Sequence, residues 1–375
     1  MSNPKLALIP SGYKSGKVYS ILPNDATGDF DFDRASEGTR VRKDGLIEEV
    51  TNDVPRLDWY NSNCPSLLLE PQRTQLAEYN TNITSANGYA LTNGTLEENT
   101  TIAPDGTLTA STFKATADSG RFQKVKTGGT IGSEYTVSAY VKRKKGTGQV
   151  YIRAVEFGNI LVTATDEWTR VSATVEATST NIRYGMALEN ADEEIYVWGF
   201  QVEEATYESS FIYNTATGTV TRLKDECFAE DSNLFNITEG TLFVDATPFK
   251  SGGGMEIQIS DGTASNRHTI QYQGTGTSVR ALTVTGGTTV FSDYNPLTFD
   301  IRNKLAITFK EDEFKFYVNG SLVHTDTSGA VPTGLDKLTF SNPNLTGTFM
   351  EGKIHDIRIY DTVLTQTEAE ELTTL

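Results

Sequence analysis

The stretch Glu313-Phe-Lys-Phe-Tyr-Val318, then Asn319-Gly320, then Ser321-Leu-Val-His-Thr325 decides the fold class. Two strand-like runs flank a two-residue turn. Asn-Gly accepts the positive φ values of a type I′ turn, whose twist matches that of the strands it joins. Side chains alternate across a strand, so Phe314, Phe316 and Val318 share one face and Lys315 and Tyr317 the other. The first face is expected to enter a core. Downstream, Lys353-Ile-His-Asp-Ile-Arg-Ile-Tyr360 alternates in the same way. Thr365-Gln-Thr-Glu368 then has the form of a capping box. It opens a short final helix through Leu372, expected to close one end of a sandwich.

Outward from this hairpin the same signal repeats. Residues 241–245, 255–259, 268–272, 304–309 and 336–340 read as strands. So do residues 107–115, 134–142, 149–157, 168–176, 181–188 and 194–202, each bounded by Gly, Asp, Asn or Thr clusters. Many short strands at this spacing indicate sandwiches rather than βαβ units. Thr, Val, Tyr and Phe are plentiful and suit pleated, half-buried surfaces. Helix-period patterns are nearly absent. The fold class is therefore all-β.

Residues 1–78 differ. They hold six of the eleven prolines, Pro4, Pro10, Pro23, Pro55, Pro65 and Pro71. Each Pro removes a backbone donor and biases its predecessor toward extended backbone. The segment reads as an extended arm without its own core. Its apolar run Leu67-Leu68-Leu69 needs cover from a neighbouring domain or another chain, and Trp59-Tyr60 reads as a subunit contact. The division expected is thus an arm (1–78), a sandwich (79–213) and a second sandwich (214–375).

Composition narrows function. The chain has 375 residues, 37% of them hydrophobic, and no apolar window long enough to span a bilayer. Its opening apolar stretch is too short for a secretory signal. Net charge is −17, from 32 basic and 49 acidic residues, which argues against a nucleic-acid partner. The three segments carry −3, −5 and −9, so no acidic tail stands out. Cys64 and Cys227 read as free thiols, and Lys142-Arg-Lys-Lys145 as a solvated hairpin tip. Ser251-Gly-Gly-Gly254 reads as a flexible turn. Sequons at Asn82, Asn93, Asn236, Asn319 and Asn344 are expected by chance in a Thr-rich chain.

Catalytic patterns are missing. The chain has no HExxH, paired CxxC, Gly-x-Ser-x-Gly or phosphate loop, and His268, His324 and His355 sit in strand-like stretches. Glycoside hydrolysis needs two carboxylates about 5–10 Å apart. Acids cluster at Asp192-Glu193-Glu194, Glu203-Glu204 and Glu311-Asp312-Glu313, but at strand ends and turns. Loop acids such as Asp225 or Asp261 would be needed to hold calcium, without an EF-hand loop around them. The expectation is no enzyme, no metal and no cofactor. Binding is the more plausible role, with Trp59, Tyr60, Tyr151, Trp168, Tyr184, Trp198 and Tyr317 as aromatic candidates for sugar stacking. Trp168 and Trp198 read as core anchors.

Three segments resemble known families. Glu313 to Thr325, Gly352-Lys-Ile-His-Asp-Ile-Arg-Ile-Tyr-Asp361 and Leu364 to Leu372 together resemble the laminin-G-like, concanavalin-A-like jelly roll over roughly residues 230–375. Residues 130–213 resemble carbohydrate-binding-module-like sandwiches of phage virion proteins, through Tyr135-Thr-Val-Ser-Ala-Tyr-Val-Lys142, Glu167-Trp-Thr-Arg-Val171 and Val197-Trp-Gly-Phe-Gln-Val-Glu203. Arg34-Ala-Ser-Glu-Gly-Thr-Arg-Val-Arg-Lys-Asp-Gly-Leu-Ile-Glu48, with Asn52-Asp-Val-Pro-Arg-Leu-Asp58 and Cys64-Pro-Ser-Leu-Leu-Leu-Glu-Pro-Gln-Arg-Thr74, resembles an N-terminal module of tailed-phage structural proteins.

These resemblances imply a non-enzymatic virion surface protein, a head or tail fibre, spike or decoration. It would form a homo-oligomer, a trimer, docked to other virion proteins through Trp59, Tyr60, Leu67, Leu68 and Leu69. It would be found on the phage particle, and in the host cytoplasm during assembly. Host surface glycans are the implied ligands, bound by residues the sequence does not name, and neither nucleic acid nor membrane is a partner. The alternatives are a ligand-free capsid scaffold and a glycan depolymerase.

Overall fold

A computed structural model describes residues 2–154, 158–249, 254–274, 276–341 and 349–375. The expectations at Val155 to Phe157, Ser251 to Gly253 and Asn344 fall outside the described residues. Among the described residues the regular structure is almost entirely strand, arranged in two compact units, and both are β-sandwiches.

The first unit comprises Met1–Glu37, Val50–Pro71 and Leu223–Leu375. Its eight-stranded sheet runs in the order Ser321–Asp326, Glu313–Val318, Asn303–Lys310, Gly240–Pro248, Gly352–Tyr360, Ser66–Leu69, Leu57–Asp58, and Leu6–Leu8 also pairs with Gly352–Tyr360. Its nine-stranded sheet runs Tyr13–Lys14, Lys17–Val18, Phe30–Asp33, Glu226–Glu230, Lys337–Thr339, Met255–Ser260, Arg267–Tyr272, Ser278–Thr285, Thr288–Pro296. Inward residues of both sheets form one core, with Phe314, Phe316 and Val318 in it as expected. Asn319 and Gly320 have φ of 47° and 85°, as a type I′ turn requires.

The final helix, Gln366–Thr373, has the expected capping box between Thr365 and Glu368. It does not close an end of the sandwich. It lies on the outer face of the eight-stranded sheet, where Phe243, Ala306, Tyr317, Tyr360, Leu364 and Ala369 form a second apolar cluster. Tyr317 is apolar enough on its ring to need that cover, so its face is not solvated.

The extended arm is corrected by this structure. Residues 1–78 are divided between the units and supply strands to both sheets of the first. Leu67, Leu68 and Leu69 are 0%, 4% and 1% exposed. Leu67 pairs with Ile354 and Leu69 with Gly352, so the cover comes from this same chain and these leucines are not free for assembly. Trp59 is half-buried, while Tyr60 is exposed beneath the Lys353 ammonium, 5.2 Å from its ring centre.

Several residues of the segment resembling a phage module meet in one buried charge cluster. Arg34 Nη1 lies 3.2 Å from Asp225 Oδ1, and Arg56 bonds both Glu70 (2.5 Å) and Asp225. Glu70 N–H also donates to Asp225 Oδ2 at 2.8 Å. Burial works against the Arg56 charge, and Asp225 and Glu70 more than restore it. Asp225 is thereby saturated by guanidinium groups and is not a loop ligand for calcium.

The second unit comprises Gly38–Glu49 and Gln72–Arg222, nine residues beyond the expected boundary at 213. Ala90–Thr92, Gly120–Thr127, Asn181–Leu188, Val150–Ala154 and Gly158–Val162 form one sheet. Gly94–Thr101, Ala110–Ala115, Glu194–Glu204, Glu134–Lys145 and Thr169–Glu176 form the other. Trp198 is fully buried with Phe211, Ile47 and Ala110, as a core anchor should be. Trp168 is half-buried and donates from Nε1 to the Ile102 carbonyl at 3.0 Å. Lys142, Arg143 and Lys144 end a strand and face Glu167, Glu193 and Glu194.

Candidate functional site

The face of the nine-stranded sheet turned away from the core of the first unit is polar on Met255–Ser260 and Arg267–Tyr272, while Ser278–Thr285 adds buried Leu282 and Val284 beside Arg280. Met255, Ile257 and Ile259 point into the core, so Glu256, Gln258 and Ser260 point to the opposite side, where each is nonetheless fully buried. The register extends this into rungs. Ser260 pairs with Lys337 and Arg267, and Arg267 with Val284. Gln258 pairs with Thr339 and Thr269. Glu256 pairs with Gln271, Gln271 with Arg280, and Arg280 with Tyr294.

These side chains bond to one another. Gln271 Nε2 donates to Glu256 Oε1 at 2.6 Å, and Arg267 Nη1 reaches Glu256 and Gln258 at 3.4 Å each. Gln273 Nε2 donates to Gln271 Oε1 at 2.9 Å, and Gln258 Nε2 to the Ser341 carbonyl at 2.9 Å. Burial holds the Arg267 guanidinium below its ordinary pKa, against the pull of Glu256 and helped by Arg280. Arg280 Nε donates to Ser292 Oγ, and its guanidinium lies 5.0 Å from the Tyr294 ring, which is 56% exposed.

Beside these rungs lies a cleft of about 240 Å³ lined by Phe228, Glu230, Ser260, Lys337, Thr339 and Phe349, among others. Lys337 Nζ bonds Glu230 at 2.8 Å, and the Lys224 ammonium lies 4.4 Å from the Phe349 ring. The groups here with solvent access, Arg267, Gln271, Gln273, Arg280, Lys337 and the Tyr294 ring, can hydrogen-bond sugar hydroxyls and stack on sugar rings.

The expected aromatic candidates do not line this face. Tyr184, Trp198 and Tyr317 are fully buried, and Trp59, Tyr60, Tyr151 and Trp168 lie elsewhere. The residues that reach its surface, among them Gln271, Arg280 and Tyr294, carry no sequence signal of their own, because strand alternation marks the apolar half and does not show what the polar half meets.

Two carboxylates pair side by side on the other sheet, Asp245 and Asp356. Each is held in a guanidinium fork. Arg302 bonds Asp245 at 2.7 and 2.6 Å, and Arg358 bonds Asp356 at 2.9 and 2.6 Å. Burial raises the Asp356 pKa, which Arg358 opposes and Asp245 reinforces. Carboxylates engaged in this way are poorly disposed to deliver a proton or attack a sugar carbon. The nearby His355 ring bonds Thr247 Oγ1 at 3.0 Å, and His324 lies 3.5 Å from Asp293. Asp261 accepts from Thr263 and Asn266. Among the described residues, no three His, Cys, Asp or Glu side chains converge as a metal site.

Residues 239–370 match the concanavalin A-like lectin/glucanases superfamily, and all lie in the first unit. No curated protein matches the chain. Among solved structures, the CBM40 of the Ruminococcus gnavus IT-sialidase, bound to α2,3-sialyllactose, is 16% identical with a TM-score of 0.34. That match covers 38% of this chain and 86% of the other. Domain 4 of an extracellular arabinanase from Geobacillus stearothermophilus, in complex with arabinotriose, is 16% identical with a TM-score of 0.32, covering 42% and 78%. A Caenorhabditis elegans galectin is 12% identical with a TM-score of 0.27, covering 35% and 88%.

Proposed function

We propose that this chain is a non-enzymatic glycan-binding surface protein of a tailed-phage particle, and that the first unit binds sugar on the outer face of its nine-stranded sheet. The observation that carries the reading is the accessible edge of that face, where half-buried Gln271 and Arg280 adjoin the exposed ring of Tyr294, within a segment matching a lectin and glucanase superfamily. Sheet-borne side chains are held by the ladder, so little ordering accompanies binding. The virion assignment is supported by the resemblance of residues 34–74 to a phage module, and a homotrimer would add avidity through repeated weak contacts.

The test is a polysaccharide array of neutral and acidic bacterial glycans, probed with the full chain and with Arg280→Ala/Tyr294→Ala. Binding that the double substitution weakens by about tenfold, or roughly 1.4 kcal/mol, supports the reading. No binding to any glycan would favour the ligand-free scaffold. Release of reducing ends from a bound glycan would favour the depolymerase.

A further inference from the structure

The second unit holds an unassigned concentration of positive charge. In its sheet containing Asn181–Leu188, the residues Ile182, Tyr184, Met186 and Leu188 face the core. Arg183, Gly185 and Ala187 therefore face out. Register places Ala187 between Arg121 and Tyr151, and Gly185 between Gln123 and Arg153. Arg183 lies at the end of the same row, beside Val125.

The central strand thus carries almost no side chain on this face, while both neighbours carry long ones. The result is a trough with Gly185 and Ala187 as its floor. Arg121 and Gln123 form one wall, Tyr151 and Arg153 the other, and Arg183 one end. The flanking backbones are about 9–10 Å apart, two strand spacings. The floor is enforced at Gly185, because a Cβ there would lie 2.1 Å from the Phe122 carbonyl oxygen. Tyr151 is braced by a hydrogen bond from its hydroxyl to Gln149 Oε1.

Three guanidinium groups on one face are unexpected in a chain of net charge −17. They are close enough to act on one another: burial first, then Arg121 and Arg183, depress the Arg153 pKa. Arg153 Nη1 donates to a neutral partner, Asn159 Oδ1, at 2.7 Å. Among the described residues, Arg153 Nε and Gln123 Oε1 are buried without a hydrogen-bond partner. Like charges held together repel, and an anion between them relieves that cost. Arginine forks match carboxylates in a bidentate geometry. An aromatic wall and an open floor suit a sugar ring carrying that carboxylate. The chain's net charge disfavours a polyanion as dense as nucleic acid.

We propose that this trough binds an acidic polysaccharide through the carboxylates of its uronate or sialate residues, at a site separate from the sheet face of the first unit. The experiment is affinity electrophoresis of the full chain through gels containing polygalacturonate, polysialic acid, neutral dextran or a single-stranded oligonucleotide. Retardation is expected in one or both carboxylated polymers, which distinguishes the two sugar classes, and in neither control. Arg121→Gln/Arg153→Gln should weaken it about tenfold or more with an unchanged melting temperature, and added salt should weaken it too. Arg280→Ala/Tyr294→Ala in the first unit should leave it unaltered, so failure of the lectin reading and failure of this one are separable. If the arginine variant melts early, Arg153→Lys serves instead: it keeps the charge, loses the fork, and should still bind several-fold more weakly. Absence of retardation in both carboxylated polymers overturns the proposal. So does equal retardation by the oligonucleotide or dextran, or retardation that the arginine substitutions leave intact.

Discussion

His268 shows how burial alone sets the chemistry of a residue. Its ring stacks on Phe309 with centroids 3.7 Å apart, and Nδ1 lies 2.9 Å from Thr283 Oγ1. Burial lowers its pKa to about 3, from an ordinary value of 6.5. The unfolded chain therefore takes up this proton at a higher pH than the native one. The stabilisation is complete above pH 6.5 and is lost progressively as pH falls toward 3. His355, lowered by burial to about 4, acts in the same direction, while Asp356, raised by burial, opposes both. A urea midpoint that falls between neutral pH and pH about 4.5 is expected. His268→Gln should reduce the accompanying loss of unfolding free energy by about 3 kcal/mol, since two pH units below 6.5 are each worth about 1.4 kcal/mol. Equal falls in both proteins would show that His268 is not kept neutral by the core. His268 was legible in sequence as strand-borne but not as buried, because polar residues at alternate positions give no sign of which face meets the core.

At the level of elements, the strand Ser66–Leu69 carries the largest correction. It pairs on one side with Gly352–Tyr360 and on the other with Leu57–Asp58, so it is an internal strand of its sheet. Leu67 and Leu69 enter the main core of the first unit. Leu67→Ala should cost about 2–5 kcal/mol in chemical denaturation, the range for truncating a packed leucine. A loss below about 0.5 kcal/mol would restore the picture of a loosely attached arm. The contrast with the hairpin at 313–325 explains what could be read in advance. There the turn residues, the alternation and both partners lie within thirteen consecutive residues. Ser66–Leu69 finds its longer partner almost three hundred residues away and its nearby one in the two-residue strand Leu57–Asp58, and prolines interrupt its surroundings. Pairing at that distance leaves no local signature, so short strands in a Pro-rich segment look like loop. The same limit hid the arginine trough, since Arg121, Arg153 and Arg183 meet only through the register of three strands.

At the level of the molecule, the decisive property is interleaving. The chain contributes residues 1–37, 50–71 and 223–375 to the first unit, and 38–49 and 72–222 to the second. The family-matching segment, 239–370, is therefore only part of a folding unit. Residues 223–375 by themselves lack Leu6–Leu8, Phe30–Asp33, Leu57–Asp58 and Ser66–Leu69, and with them part of each sheet. They also retain Asp225 without Arg34 and Arg56, leaving a buried carboxylate without its counter-charges. Removing the partner of a buried charge costs about 3–5 kcal/mol, a large part of a typical domain's stability. The exposed sheet edges would add a tendency to aggregate. A fragment of residues 223–375 should thus give no cooperative thermal transition, whereas the full chain should. Supplying residues 1–71 as a second polypeptide should restore the transition, because strands pair regardless of chain connection. A fragment that melts cooperatively alone would mean that the N-terminal strands decorate a self-sufficient sandwich, and that the phage-like module is an addition to the fold rather than one of its walls.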